Sequence, residues 1–451
     1  MQPDPVPSTD RQPVVYLHIG AMKTGTTFLQ GLLLANRDNL ATAGYLFPGR
    51  RPHDQVRAVR DIMEMDLHDP AMRAGSEGRW AKLAEEMLGY DGRASIFSME
   101  FLSFATTRKA ARVIKSLPGA DVHVILTVRD ALGAIPAQWQ THCRNGGTAS
   151  WPQFARSARR GARFHRLARG QGARTFQRTQ GIPRMLAAWA PALSPGRLHV
   201  VTVPPPGSDP LLLWERFASV VGVDPAVCTE SAGRTNPSLG QPSADLMRRI
   251  NTQLGRQLPS DYQPTLKAKL ATEILTTRSG LEAAARLDRR TWDFALAWNR
   301  RVRDAIASSG ATLVGNVDDL PVRPEQSAIE YVDELSDPAD EDILLSAATA
   351  REGLLQLLQR RTKQVTRVRA LAGKAAGEKA RKRARRNARR RRAGPPAPER
   401  WRREQDPVDA AVSELTSLVR EAIKLRRRAR KREQGSTRAP MTGDVAFGND
   451  R

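Results

Sequence analysis

The sequence predicts an α/β fold in which a central parallel sheet is flanked by helices. Short apolar, β-branched runs recur through roughly the first 205 residues, as in strands buried on both faces of a parallel sheet. Longer segments with apolar residues at helical spacing lie between these runs. Strands that alternate with helices in this way favour a sheet covered by helices on both of its faces.

The predicted elements follow one another along the chain. Strands are expected at residues 14–19, 94–99, 122–128 and 198–203. Helices are expected around residues 28–36, at 107–117 and 211–220, and over most of 240–310. The intervening residues 144–184 are polar, rich in Arg and poorly periodic, so we expect them to form an extended surface insertion over the active site.

Composition divides the chain into four parts. Residues 1–12 are expected to be a flexible tail, 13–325 the α/β domain, 326–350 an acidic linker, and 351–451 a basic extension that is helical or disordered. The net charge is +25, and about 30 of the 72 Lys and Arg residues fall in the last hundred residues, against about 11 of the 47 Asp and Glu residues. Polyanion binding is therefore expected of the extension rather than of the domain.

The extension combines a basic run at 381–392 with a second helix at about 408–432. That helix carries an apolar stripe opposite its Arg residues, formed by Val412, Leu415, Leu418, Val419, Ile423 and Leu425. Such a stripe suits self-association or attachment to an anionic membrane surface. We rank these roles above nucleic-acid binding, because few aromatic residues are interleaved with the basic ones.

Cysteine content and hydropathy point to a cytoplasmic protein. The only two cysteines, Cys143 and Cys228, give neither a disulfide framework nor a zinc site. The amino-terminal residues lack the apolar run of a signal peptide, and no stretch approaches the length of a membrane helix. The sequence therefore predicts a soluble protein, with the extension as a means of attachment to the periphery of a membrane.

A loop with the composition of an anion site joins the first predicted strand to its helix. It reads Gly20-Ala21-Met22-Lys23-Thr24-Gly25-Thr26-Thr27. Such a turn offers backbone N–H groups and the positive end of a helix dipole, Lys23 adds a full charge, and the threonines add hydroxyl donors. In the ATP-type P-loop, Gly-Lys-Ser/Thr closes the loop, whereas here the lysine precedes the glycine.

This Lys-Thr-Gly-Thr-Thr order resembles the 5′-phosphosulfate loop of sulfotransferases that use 3′-phosphoadenosine 5′-phosphosulfate (PAPS) as donor. The resemblance covers about residues 13–320 and is closest to bacterial members of the family. It implies a P-loop-like three-layer fold and a PAPS site without a metal. The residues it assigns to the donor in this loop are Lys23, Thr24, Gly25, Thr26 and Thr27.

Arg129 directly follows the predicted strand 122–128. In the sulfotransferase family an Arg at this point and a Ser eight residues later bind the 3′-phosphate of the donor. A planar guanidinium suits the role because it meets two phosphate oxygens at once. The position of the serine is taken by Ala137, and Gln138, Gln140 and Thr141 are the candidates to replace it.

A looser match follows the strand at 198–203. Asp209-Pro210 and a helix with Phe217 and a stop at Gly222 are similar to a late strand–helix unit of the family. The later segment at 234–240 resembles the Asn-x-Ser segment that helps to close the nucleotide site in some branches. The resemblance therefore implies that Asn236 and Ser238 bind the donor.

Sulfuryl transfer also needs a general base for the acceptor hydroxyl and a cation for the leaving phosphate. Lys23 is the expected cation. Family members use His or Glu as the base, often at the end of the strand that precedes the 3′-phosphate strand, where this chain has Glu100. His53 is the second candidate, on the segment after the first helix, while His18 is expected to be a packing residue.

The predicted function is transfer of a sulfuryl group from PAPS to a hydroxyl of a carbohydrate, a glycolipid or a small metabolite. The alternative is a catalytically degenerate transferase-fold protein that acts as a scaffold, binding polyanions or membrane surfaces through its Arg-rich tail. Ala137 favours this alternative, whereas Lys23, Arg129 and Glu100 favour the enzyme. A nucleotide kinase is disfavoured by the loop order and by the lack of evident Mg²⁺ ligands in the sequence.

Overall fold

The computed structural model describes residues 12–66, 68–163, 171–233, 238–257, 259–327, 329–375 and 406–436. Within these residues, six parallel strands form one sheet. This confirms the predicted α/β class. The strands are β1 Val14–Gly20, β2 Tyr45–Leu46, β3 Ala94–Ser98, β4 Asp121–Val128, β5 Leu198–Thr202 and β6 Thr312–Val314. Their order across the sheet is β2-β3-β1-β4-β5-β6, and every neighbouring pair is parallel. The short β2 and β6 are edge strands that the sequence pattern did not predict.

Helices pack on both faces of this sheet. The α-helices are α1 Thr26–Ala35, α2 Arg37–Thr42, α3 Pro52–Ile62, α4 Pro70–Ser76, α5 Arg79–Leu88, α6 Thr107–Lys115, α7 Ala131–Arg144, α8 Trp151–Arg163, α9 Gln171–Gln180, α10 Ile182–Trp189, α11 Leu212–Val221, α12 Gln241–Leu254, α13 Pro259–Tyr262, α14 Arg289–Ser308, α15 Asp340–Ala375 and α16 Pro407–Ser436. A 3₁₀-helix at Glu100–Phe104 follows β3, and a π-helix spans Gln263–Ile274.

The two faces of the sheet support cores of different size. Alternate side chains of the central strands point to opposite faces, as strand geometry requires. On one face, Ile96, Ile125 and Val201 pack with α1 and α11 in a small core. On the other, Leu17 and Val124 belong to a large core that includes residues of α7, α12 and α14.

The expectation of an extended surface insertion at residues 144–184 is wrong. Within the described residues this segment forms the end of α7 and the helices α8, α9 and α10, and it packs into the large core. Trp151, Phe154 and Phe176 are almost fully buried there, and Trp151 Nε1 donates to the carbonyl of Arg286 at 2.9 Å. Apolar residues at helical spacing were present in the sequence, but the many Arg residues between them hid the pattern.

The basic extension packs against the domain instead of standing apart from it. The helix α15 begins at Asp340, inside the predicted acidic linker, and buries Ile343, Ala347 and Leu354 in the large core. The predicted second helix is α16, and the centre of its apolar stripe is buried in the same core, including Leu415 and Val419. The stripe is therefore used within the chain rather than left free for self-association or a membrane. The basic run at 381–392 lies outside the described residues.

None of the helices in the described ranges combines the length and apolar character needed to cross a bilayer.

Replacing Leu415 with Ala tests the packing of the extension. Leu415 is 1% exposed, so the truncation should lower the free energy of unfolding by about 2–5 kcal/mol through lost burial and an unfilled cavity. Leu345→Ala is the matched control, because Leu345 is 56% exposed on α15 and its truncation should change the free energy by less than about 0.5 kcal/mol. Urea unfolding of the full-length protein measures both changes, and equal effects would contradict the packing.

Candidate functional site

The parallel sheet brings three of the predicted site residues together at the carboxyl ends of its central strands. Because β3, β1 and β4 are adjacent and parallel, the chain leaves all three at the same side. Glu100 follows β3, Lys23 follows β1 and Arg129 follows β4. The chain runs from β1 towards β2 and from β4 towards β5, in opposite directions, which opens a crevice between β1 and β4 where α/β sheets commonly bind ligands.

The loop after β1 has a shape fixed by buried hydrogen bonds. Thr24 is fully buried, its hydroxyl donates to the carbonyl of Ala21 at 2.6 Å, and the hydroxyls of Thr24 and Thr127 are 2.5 Å apart. The hydroxyl of Thr24 therefore holds the loop to β4 instead of facing a ligand. Lys23 has a φ of 64°, a left-handed conformation that residues with a side chain rarely adopt and that costs about 1–3 kcal/mol.

The loop ends at an uncapped helix terminus. Gly25 is the N-cap of α1, no side chain caps the helix, and its first turn carries no acidic residue. The first backbone N–H groups of a helix have no partner inside it, so those of Thr26 and Thr27 are donors available to an anion. Gly25 is required here because its φ is 80° and an added Cβ would lie 2.3 Å from Leu213 Cδ2. The terminus of α1 therefore fits an anionic group.

Arg129 is half-buried and lies along the first turn of α7. Its guanidinium packs on Gly133, where an added Cβ would lie 2.8 Å from an Nη atom. No described residue accepts a hydrogen bond from the guanidinium. The adjacent Asp130 instead caps α7, accepting from the N–H groups of Leu132 at 2.9 Å and Gly133 at 3.1 Å. Arg129 is thus left with its donors available to a ligand.

The structure narrows the candidates to replace the missing serine at Ala137. The hydroxyl of Thr141 donates to the carbonyl of Ala137 at 3.1 Å, so its proton is already engaged. Gln138 is fully buried, and neither polar atom of its amide has a partner among the described residues. Gln140 is 5% exposed, and its Oε1 is likewise unpaired within the described chain. The two buried glutamines therefore keep hydrogen-bonding capacity that Thr141 lacks.

Lys23 lies in a cluster of cations. Its pKa is lowered to about 8, first by burial and then by the charges of Arg144 and Arg129, while Glu100 opposes the shift. The pKa of Lys267 is lowered by burial and by Arg144, again with Glu100 acting in the opposite direction. Like charges are held close together here with one nearby carboxylate, which is an arrangement that a bound anion would stabilise.

Arg144 and Lys267 are site residues that the sequence analysis missed. Arg144 ends α7, seven residues after Ala137 on the same side of the helix, and this spacing was a usable signal. Its guanidinium donates to the hydroxyl of Thr272 at 3.0 Å, and that hydroxyl donates to the carbonyl of Lys267 at 2.7 Å. Lys267 lies in the π-helix, which no pattern in the sequence predicts, although π-helical turns are frequent at functional sites.

A glutamine of α1, Gln30, positions the side chain of Glu100. Gln30 Nε2 donates to Glu100 Oε2 at 3.0 Å and to the carbonyl of Ser98 at 3.1 Å. Glu100 forms no salt bridge within the described residues, although the charges of Lys23 and Lys267 act on it. Because Gln30 contacts only Oε2, Oε1 has no hydrogen-bond partner among the described residues and is available to accept a proton.

His53 is not brought to this site. It is exposed in the first turn of α3, and none of the described residues forms a hydrogen bond with it. Arg51 and Gln55 line a cavity of about 210 Å³ beside Gln30 and Ser98. Because His53 lies two positions from each of them along the helix, it points away from that cavity. Of the two candidate bases, only Glu100 lies near Lys23.

The segment expected to close the nucleotide site is described only in part. Asn236 lies outside the described residues, and Ser238 is exposed just before α12. The residues that precede this segment are held against α1, since Asn36 Nδ2 donates to the carbonyl of Glu230 and Asn36 Oδ1 accepts from its N–H, both at 2.8 Å. The chain is therefore held beside the end of α1 at Glu230, before the described residues stop at Gly233.

His18 is a buried packing residue that also carries a polar link. It is 1% exposed, with Nδ1 2.7 Å from Ser98 Oγ and Nε2 3.2 Å from Thr127 Oγ1. Burial lowers the pKa of its imidazole to about 3, so the ring is neutral at physiological pH. His18 therefore orients neighbouring groups rather than carrying charge.

Within the described ranges, no group of three or more His, Cys, Asp or Glu side chains could hold a metal ion. Comparison of the chain with known protein families, curated proteins and solved structures gave no match.

Gly25→Ala tests the shape of the loop. The substitution should lower the free energy of unfolding by about 2–4 kcal/mol, because a left-handed alanine is strained and its Cβ collides with Leu213. Gly78→Ala is the control. Its φ is 71°, but no atom lies within 4 Å of the added Cβ, so it should cost only about 1 kcal/mol. Denaturant unfolding measures both.

The double variant with Leu213→Ala separates the collision from the backbone strain. If the collision is real, Gly25→Ala combined with Leu213→Ala should be less destabilising than the sum of the single changes. Strict additivity would mean that Leu213 does not restrict the loop.

Proposed function

We propose that this protein transfers a sulfuryl group from PAPS to a hydroxyl acceptor. The observation that carries the proposal is the convergence of Lys23, Arg129 and Glu100 at one edge of the sheet, beside the uncapped amino terminus of α1. The loop order Lys-Thr-Gly-Thr-Thr, which resembles the donor loop of sulfotransferases, makes PAPS the preferred donor.

The residues fit a donor with an anionic group at each end. Lys23 and the N–H groups of Thr26 and Thr27 suit the 5′-phosphosulfate, since Lys23 has no hydrogen-bond acceptor among the described residues. The guanidinium of Arg129, packed on Gly133 and likewise unpaired in the described chain, suits the 3′-phosphate. Gln138 and Gln140 are the candidates to take the place of the absent serine hydroxyl.

PAPS would supply an activated sulfuryl group and a phosphate leaving group. Glu100 would accept the proton of the acceptor hydroxyl as the new S–O bond forms. Lys23 would stabilise the negative charge on the phosphate oxygen as the old S–O bond breaks, and Arg144 and Lys267 add positive charge beside it. Gln30 would keep the carboxylate of Glu100 oriented.

Calorimetric binding of PAP, the desulfated donor product, to the full-length protein tests the donor site. We expect PAP to bind without Mg²⁺ and more tightly than ATP. Lys23→Ala and Arg129→Ala should each weaken binding tenfold or more, because each removes a charge-assisted contact worth about 1.5–3 kcal/mol.

Two control variants accompany this measurement. Arg290→Ala removes an exposed charge on α14 and should leave the affinity for PAP unchanged. Glu100→Gln should not weaken PAP binding, since Glu100 is assigned to the acceptor. Folded protein that binds neither PAP nor ATP would exclude the enzyme and leave the scaffold alternative, with its function in the basic tail.

The pKa of Lys23 predicts how PAP binding depends on pH. The charged lysine favours the anion, so affinity should fall as the pH rises from 7.5 to 9.5, through the pKa of about 8 in the free protein. Arg129 and Arg144 carry guanidinium groups, which keep their charge across this range and so do not produce the decline. Lys23→Arg should bind PAP with a flatter profile, and calorimetry at several pH values distinguishes the two. An identical decline in both proteins would assign the titration to another group.

A further inference from the structure

A basic cleft of about 640 Å³ lies at the far end of the 3₁₀-helix that begins at Glu100. It is formed between that helix and α9, with the residues just after α3, the start of α6 and the first turn of α10 as its remaining walls. Its lining residues are Met63, Glu64, Met65, Phe104, Thr106, Lys109, Arg174, Gln177, Arg178 and Arg184.

The charge of the cleft is strongly unbalanced. Lys109, Arg174, Arg178 and Arg184 contribute four positive charges, and Glu64 contributes one negative charge. Glu64 is already engaged, since its Oε1 lies 2.9 Å from Arg112 Nη1 outside the cleft and its Oε2 3.7 Å from Lys109 Nζ. No carboxylate of the described residues forms a salt bridge with Arg174, Arg178 or Arg184.

Arg178 and Arg184 are held in place without an acidic partner. The guanidinium carbon of Arg178 lies 4.2 Å from the centre of the Phe104 ring, and no described residue accepts a hydrogen bond from it. Arg184 donates to the carbonyls of Ser103 at 2.9 Å and Ala105 at 3.1 Å, while its buried Nε has no partner in the described chain. Burial lowers the pKa of both side chains, and the charge of Arg178 lowers that of Arg184 further. Like charges fixed this closely are stabilised by an anion.

The cleft is connected to the candidate site through two elements. The 3₁₀-helix runs from Glu100 to Phe104, so at about 2 Å per residue its ends are roughly 8 Å apart. The helix α9 contributes Arg178 to the cleft, and two residues later Gln180 Nε2 donates to the carbonyl of Met22 in the loop at 2.6 Å. A molecule with its hydroxyl at Glu100 and a second group roughly 8 Å away would reach the cleft.

We propose that this cleft binds an anionic group of the acceptor, a carboxylate or a sulfate, so that the substrate is a hydroxylated anion rather than a neutral alcohol. This rests on the proposed function for the identity of the reacting hydroxyl. The ring of Phe104 and the side chains of Met63 and Met65 would contact the apolar part of the acceptor, and the arginines would bind its charge.

Calorimetry on the full-length protein with rigid probes tests the cleft. The probes are 6-hydroxynaphthalene-2-sulfonate and 6-hydroxy-2-naphthoate, whose ring systems place the hydroxyl and the anion at opposite ends, and neutral 2-naphthol. We expect at least one anion to bind tenfold or more tightly than 2-naphthol, and the two anions show whether sulfate-like or carboxylate chemistry is preferred. Raising the salt concentration should weaken the binding of the two anions but not that of 2-naphthol.

Substitutions locate the binding. Arg178→Gln and, separately, Arg174→Gln should each weaken anion binding several-fold without changing the affinity for 2-naphthol. Arg174 and Arg178 are both exposed, so both variants should fold, and Arg290→Gln is the charge-matched control outside the cleft. Equal affinity for the anions and 2-naphthol, absence of anion binding, or full affinity in both cleft variants would overturn the proposal.

Measuring PAP binding on the same samples separates this proposal from the one on which it rests. The cleft variants should bind PAP as the unmodified protein does, because the cleft is not part of the donor site. Failure of PAP binding in the unmodified protein would reject the proposed function, whereas failure of anion selectivity would reject only the assignment of the cleft.

Discussion

The geometry of the site depends on a buried chain of hydrogen bonds across the three central strands. Ser98 of β3 contacts His18 of β1 at 2.7 Å, His18 contacts Thr127 of β4 at 3.2 Å, and Thr127 contacts Thr24 of the loop at 2.5 Å. Ser98, Thr127 and Thr24 lie within two residues of Glu100, Arg129 and Lys23, respectively. Because an unpaired buried polar group costs about 1–3 kcal/mol, the strands and the loop must keep one register for all these groups to be satisfied.

Hydrogen bonding also determines which charged groups at the site remain available to a ligand. Arg129 and Asp130 are adjacent and of opposite charge, yet the carboxylate of Asp130 is used to cap α7 and to accept from Asn299 Nδ2 at 2.8 Å. In a similar way Glu100 is held by Gln30, a neutral partner. The cations at the ends of these strands therefore form no salt bridge within the described residues. Electrostatic preorganisation of this kind favours an incoming anion, since little rearrangement is needed on binding.

Sequence patterns could predict the sheet and the residues that follow its strands, because burial on both faces and the loop order are local properties. They could not predict Lys267 as a neighbour of Lys23, since its position depends on how a π-helix packs on the end of α7, whereas the spacing of Arg144 from Ala137 was a signal left unused. The placement of His53 was also beyond sequence patterns: its position after α1 suggested proximity to the loop, but helical phase turns it away from Gln55 and the cavity beside it. The helices in segment 144–184 were not predicted because the many charged residues obscured apolar residues at helical spacing.

The basic extension acquires a structural role from these contacts. The π-helix that carries Lys267 is supported by α15, where an added Cβ on Gly353 would lie 2.6 Å from Ile274 Cγ2, and by Arg361, whose Nη1 donates to Thr265 Oγ1 at 3.3 Å. The helix α16 packs against both α15 and α12 through its buried stripe. Since Thr272 of the same π-helix holds Arg144, the position of both added cations depends on the extension. The extension therefore contributes to the site through packing, independently of any polyanion that its basic run binds.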